Sequence, residues 1–209
     1  MRVAREKDCQ HEKTINTFIR KYFWEKIFEK VDEVTDTARQ LAGIDYIIDD
    51  QNVDVKAQSS VSYINNPRDT FILELSFLNG VCEESIGWFI NPNSHTDIYA
   101  FVWISSATVG TDGRIHNVQD IHQIEIMLVD KHKLKEAVNK IYSDQELLEI
   151  SLQMRLTGEH RKDGRVNGIH FSHSPTLFEK PTNIVARKWF LKQFATMHCK
   201  VTQDSIIHI

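Results

Sequence analysis

Cysteine is scarce and unpaired in this chain of 209 residues: Cys9, Cys82 and Cys199 lie far apart, with no C-x-x-C spacing. An odd, scattered set excludes a disulfide scaffold and a clustered zinc site, and fits a reduced, cytoplasmic protein. No apolar run approaches the roughly 20 residues of a membrane helix. The opening MRVAREKDCQHEK lacks the apolar centre of a signal peptide, so no membrane partner is expected. Positive charge is not in excess either. A formal net charge of −4 argues against tight non-specific binding to nucleic acid without a metal. There is no G-x-S-x-G elbow, no phosphate loop around Gly110 and Gly113, and no evident activating partner for Cys82 or Cys199. None of the histidines forms H-x-x-x-H. The closest central pair, His170 and His173, falls on opposite faces of an extended segment and reads as surface or packing residues. Internal repeats, low-complexity stretches and linkers are absent.

What is present suits one globular domain: 41% hydrophobic and 26% charged residues, in a chain long enough for a full core. Charge is unevenly spread. Residues 41–130 hold 3 Lys/Arg against 13 Asp/Glu, a balance of −10, and residues 131–200 hold 13 against 7, a balance of +6. An acidic part that holds a metal and a basic part that meets phosphate would suit a nucleic-acid enzyme.

The densest chemistry lies in Gly43-Ile-Asp-Tyr-Ile-Ile-Asp-Asp-Gln-Asn-Val-Asp-Val-Lys-Ala-Gln58. Ile44 to Ile48 is β-branched and aromatic, Asp49 to Asn52 is a turn cluster, and Val53 to Gln58 alternates. The period of two puts Asp54, Lys56 and Gln58 on one face and Val53, Val55 and Ala57 on the other. Paired as a hairpin, the two runs bring Asp45 toward Asp54 and Lys56. Two carboxylates and an ammonium suit phosphodiester hydrolysis. The carboxylates can hold Mg²⁺ (or Mn²⁺), which activates water, and the lysine orients that water or stabilises developing charge. By itself, D-x-K is also a common pair of solvated surface charges.

Lys13 to Leu41 has helical periodicity and predicts a long helix, broken at most once, that stops at Gly43. Its acidic stripe, Glu25, Glu29, Glu33 and Asp36, is solvated in this reading, with Asp36 the nearest source of a further oxygen. Thr70 to Phe77 predicts a third strand in which Glu74 is a lone acid, either joining the Asp54/Lys56 patch or paired with a base at the rim. Thr96 to Ser105 predicts a central strand and Ile121 to Val129 the next. Asp130 caps a helix over Lys131 to Asn139, and Ser143 with Glu146 forms a capping box for another that runs to Met154. The basic stretch Thr157 to Asn167, with Arg161, Lys162 and Arg165, is a surface loop or a loop that binds nucleic-acid phosphate. Gly168 to Ser172 is extended, and Pro181 to His198 predicts a final amphipathic helix.

Gly43-Ile-Asp45 followed by Asp54-Val55-Lys56 resembles the signature of the PD-(D/E)xK, or restriction-endonuclease-like, nuclease superfamily. Nearly the whole chain is similar to a group of small bacterial and phage-associated members. The shared stretches are Asp36 to Gln40, Val53 to Ala57, Thr70 to Phe77, Gly87-Trp88, Thr96 to Tyr99 leading to Trp103, and Ser174 to Val185. The resemblance implies an α/β fold with a restriction-endonuclease-like core, a mixed central β-sheet flanked by helices, in one domain over 1–209. Residues 1–42 would supply an N-terminal helix, 43–130 the sheet and active site, and 131–209 a helical, basic part. It implies Mg²⁺ at Asp45 and Asp54, assisted by the Val55 carbonyl, and Lys56 as the catalytic lysine, with Gln58 and Glu74 completing the polar face. DNA is the expected partner, bound through Arg161, Lys162 and Arg165, and a homodimer is expected where two strands must be cut. Rival readings are a non-catalytic nucleic-acid or protein module that kept the fold, and a toxin- or immunity-type partner. No segment is devoted to sequence recognition, which counts against a restriction role.

Overall fold

A computed structural model describes residues 2–60 and 62–209. Helix α1 (Arg2–Ile19) buries Ile15, Phe18 and Ile19 at helical spacing. It continues through a π-helical segment, Arg20–Trp24, into a last turn, α2 (Glu25–Ile27). The wider π turn sends Phe23 and Trp24, adjacent in sequence, into the same core. The helix predicted to reach Leu41 therefore ends at Ile27. Val31–Glu33 forms a short strand, β1, and α3 (Thr37–Leu41) is a separate helix whose Asp36 cap accepts from the Ala38 N–H at 2.9 Å. The acidic stripe is thereby divided. Glu25 and Glu33 both pair with Arg20 at 2.8 Å, and Asp36 is occupied as a cap.

Among the described residues the strands form two sheets. The first has the order β1, β2 (Tyr46–Ile48), β3 (Gln51–Gln58), β6 (Ile98–Ala107), β7 (Ile121–Asp130), β11 (Ala195–Val201) and β12 (Ile206–His208). It is mixed, because β3 runs parallel to β6 while its other pairings are antiparallel. The second sheet, all antiparallel, has the order β5 (Glu84–Ile86), β4 (Thr70–Leu78), β10 (Thr182–Arg187), β9 (Ile169–His173) and β8 (Arg161–Asp163). Asp49 and Asp50 carry φ of 46° and 67°, as a two-residue hairpin turn with positive φ at both positions requires.

The first sheet is buried on both faces, and so β6 and β7 read as nearly continuous apolar runs. One face (Val53, Ala100, Val102, Ile124, Ile126) packs on α1. The other (Tyr99, Phe101, Trp103, Met127, Val129) packs on Leu73, Leu75, Phe171, Ile184 and Ala186 of the second sheet. Leu134, Leu147 and Leu191 close the same core from α4 (Lys131–Asn139), α5 (Asp144–Thr157) and α6 (Lys188–Lys192). Asp130 and the Ser143/Glu146 box cap α4 and α5 as the sequence predicts.

The final helix predicted over Pro181 to His198 is instead β10, one turn of helix and β11. Its apolar positions fit a helical period. However, Ile184 and Ala186 alternate with Asn183, Val185 and Arg187 across a strand, and pairing with both β4 and β9 settles the outcome. The part beyond residue 131 is accordingly built of strands as much as helices. The Thr157 to Asn167 loop contains β8.

One feature of the first sheet positions the site. Along β3, β2 reaches only Gln51–Val53. Beyond that point β3 is bonded to β6 alone, leaving Asp54–Gln58 on an open edge.

Candidate functional site

Asp45 stands where β2 leaves β3. Its N–H donates to the Val53 carbonyl at 2.9 Å, and its Oδ2 accepts from the Val55 N–H at 2.8 Å. The carboxylate thus caps the open edge of β3. N–H and C=O of one strand residue point to the same side, which places the Val55 carbonyl on this edge too. Asp54, next along β3, points to the opposite face beside Tyr99 and is 3% exposed. Its Oδ1 lies 2.7 Å from the Lys56 Nζ. Burial pushes the Asp54 carboxyl up to about 6, with Lys56 opposing the shift and the Asp45 charge adding to it. The hairpin therefore joins Asp45, Asp54 and Lys56 in one cluster.

Gly43 makes this approach possible. Its φ is +78°, and a Cβ there would lie 2.6 Å from Thr96 Oγ1 and 3.5 Å from Asp54 Oδ2. Thr96 Oγ1 donates to the Gly43 carbonyl at 2.7 Å, locking the turn.

Glu74 reaches the cluster from the second sheet. Burial, then the charge of Glu179, pushes its carboxyl up, while Lys56 and the Trp88 N–H pull it down. It has no ion-pair partner among the described residues, so the rim pairing weighed for it is not what the structure contains. Gln58 has both ends engaged: Nε2 donates to the Thr70 carbonyl at 2.5 Å and Oε1 accepts from the Arg68 N–H at 3.1 Å. It ties β3 to the start of β4 and so forms part of a wall. Of the basic trio, Arg161 lines the cleft described below. Lys162 does not, and Arg165 is held elsewhere, over the Tyr142 ring and paired with Glu146 at 3.0 Å.

Several residues here carry no motif and are missed by reading the sequence. Trp88 puts its ring 5.2 Å from Lys56 Nζ. Lys131, 9% exposed, donates to the Ser94 carbonyl and hydroxyl at 2.8 and 3.0 Å within the field of Asp54, and burial lowers its pKa. The Tyr99 hydroxyl is buried without a partner among the described residues, and its pKa is raised by burial and by the Asp54 charge. A position just past a strand end is the only sequence signal for Lys131.

The cluster opens into a cleft of about 1010 Å³. Asp45, Lys56 and Gln58 line its floor, and Glu12 and Asn16 of α1 stand on one side. Arg68, His170, Asn183 and Arg187 stand on the other, the last three from the outer face of the second sheet. Among the described residues no group of three or more His, Cys, Asp or Glu side chains is arranged to hold a metal, and no helix is long and apolar enough to cross a membrane. In comparisons with protein families, characterised proteins and solved structures, the chain matches none.

Proposed function

We propose that this chain is a metal-dependent nuclease with a restriction-endonuclease-like core that hydrolyses DNA phosphodiester bonds. The observation that carries the reading is the Asp45, Asp54 and Lys56 cluster on an open strand edge, where Asp45 and Lys56 line the floor of a cleft with arginines on its wall and Asp54 is buried behind them. The donor set fits Mg²⁺ or Mn²⁺. Two neighbouring carboxylates, one deeply buried and pushed up in pKa, have Lys56 as their one direct ion-pair partner among the described residues, with Lys131 acting on Asp54 from further off, and a main-chain carbonyl lies beside them. Mg²⁺ needs few protein oxygens and keeps waters of its own. Asp45, Asp54 and the Val55 carbonyl would hold the ion. When bound, it supplies Lewis acidity toward the phosphoryl oxygen and a water of lowered pKa.

The remaining work falls to the chain's own residues. Lys56 is the one cationic side chain bonded directly to the cluster, so it orients the attacking water and balances charge that develops on the phosphoryl oxygens. Trp88 covers its ammonium and limits its rotation. Glu74 faces Lys56 from the second sheet, and Gln58 keeps the two sheets in register around it.

A non-catalytic nucleic-acid or protein module is the second reading. One observation favours it: Lys56 already closes on Asp54 at 2.7 Å, so the cluster is internally satisfied. Wild type, Lys56→Ala and Asp54→Asn, each checked for folding by circular dichroism, separate the two on plasmid, linear, single-stranded and branched DNA in Mg²⁺, Mn²⁺ and EDTA. Metal-dependent cleavage lost in both variants supports the nuclease. A folded wild type that cuts none of these substrates supports the module.

A further inference from the structure

The outer face of the second sheet presents an ordered set of groups to the cleft. Strand register places Glu74, Asn183, Ser172 and Arg161 in one row across β4, β10, β9 and β8, and Ile72, Val185, His170 and Asp163 in the next. Arg187 follows, paired with Thr70. The Arg187 guanidinium has no hydrogen bond or ion pair among the described residues. Burial, then the charge of Arg161 and more weakly that of Arg187, disfavours protonation of the His170 ring, with Asp163 opposing them. Arg187, with Arg161 beside it on the same face and paired with Asp163 at 3.3 Å, makes a cationic patch in an open cleft, which suits an anion. Asn183 lines the same face, 5% exposed.

The cleft also offers flat apolar faces. Tyr63 lines it with the Arg68 guanidinium 4.9 Å from its ring, and Trp88 lines it at the catalytic end. Cations that track a backbone, interleaved with aromatic rings that take bases, are the recognition chemistry of single-stranded nucleic acid. Size points the same way. About 1010 Å³ lies at the upper limit of pockets that enclose one small ligand, roughly 300–1,000 Å³. A few nucleotides of one strand fit that space.

We propose, building on the nuclease reading, that the cleft takes a single-stranded segment, its bases against Tyr63 and Trp88 and its phosphates along Arg68, Arg187 and Arg161. With the Gln58–Thr70 contact between them, Arg187 stands on the cleft wall apart from Lys56 and is placed to meet a different phosphate from the one cleaved. It is a positioning residue that sets which bond reaches Lys56.

The test measures binding without cleavage, by fluorescence anisotropy in EDTA at low salt. The probes are a labelled mixed-sequence oligodeoxynucleotide and its duplex, against wild type, Arg187→Gln and, as a control outside the cleft, Arg165→Gln. The single strand should bind at least tenfold tighter than the duplex. Arg187→Gln should weaken it about tenfold and reduce the salt slope by about one, while Arg165→Gln changes neither. Equal or tighter duplex binding, no binding of either probe, or equal effects of the two substitutions would overturn the proposal. Strand binding that depends on Arg187 in a protein inert with Mg²⁺ would instead refute the nuclease reading and leave this one standing.

Discussion

Asp54→Asn should remove activity and stabilise the protein at the same time. The Asp54 carboxyl stands at about 6 in the fold against an ordinary 3.8. Above pH 6 the folded chain carries a buried anion that the unfolded chain carries in water. A difference of about two pH units corresponds to about 3 kcal/mol at about 1.4 kcal/mol per unit. The native state binds the extra proton, so this contribution is fully present below pH 3.8 and is lost as pH rises through about 6. Asparagine keeps the shape and stays neutral. Lys56 is left without its partner, but its side chain is 27% exposed and can turn to solvent. At pH 8 in EDTA the variant should melt higher by about 6–12 °C, at roughly 2–4 °C per kcal/mol for a chain of this size. Differential scanning calorimetry from pH 4 to pH 8 should show the gap opening across pH 4–6. Saturating Mg²⁺ should raise the melting point of wild type alone, by mass action on the native state. A variant that melts at or below wild type at pH 8 would refute the reasoning, because Asp54 would then contribute stability as an anion.

Other expectations are simpler. Lys56→Ala should abolish metal-dependent cleavage and leave the far-ultraviolet circular dichroism unchanged. Gly43→Ala should cost about 1–3 kcal/mol in urea denaturation, because its φ of +78° and the Thr96 hydroxyl 2.6 Å from the new Cβ both oppose a side chain. Lys188→Met should cost about 3 kcal/mol in the same assay. Lys188 donates to Glu125 at 2.9 Å, Glu125 binds His198 at 2.6 Å, and removing the lysine leaves a largely buried carboxylate with one partner.

The hairpin was legible because its signals agree. The β-branched run into Tyr46–Ile48, the Asp49-Asp50 turn and the alternation from Val53 to Gln58 each specify the same local geometry, and Asp45, Asp54 and Lys56 meet as a result. Both helix caps, at Asp130 and Ser143, were legible for the same reason: a cap is decided within four residues. The long first helix and the last one were not. Val31 and Val34 continue the helical period of α1, yet Val31–Glu33 completes the edge beside β2. Ile184, Val185, Trp189, Phe190 and Phe194 satisfy a helical stripe, but Thr182–Arg187 fills the gap between β4 and β9. In each case a partner distant in sequence outweighed local preference.

The same distance explains why the hairpin motif was legible while most of the cleft was not. Asp45, Asp54 and Lys56 come from one hairpin, whereas the facing wall comes from residues 68–72, 88 and 161, from 170 and 172, and from 183, 185 and 187. These meet only because β4 pairs with β10 and β10 with β9. Basic residues close in sequence look like a unit, but a strand separates its neighbours. Arg161 turns to the cleft and Lys162 does not. Arg165, past the end of β8, bonds to the Ile141 carbonyl and to Glu146. Arg187, from a segment whose apolar spacing suggests a helix, faces the cleft because β10 is extended. Which cations share one face of a sheet is a property of register, and register here is set by strands more than a hundred residues apart.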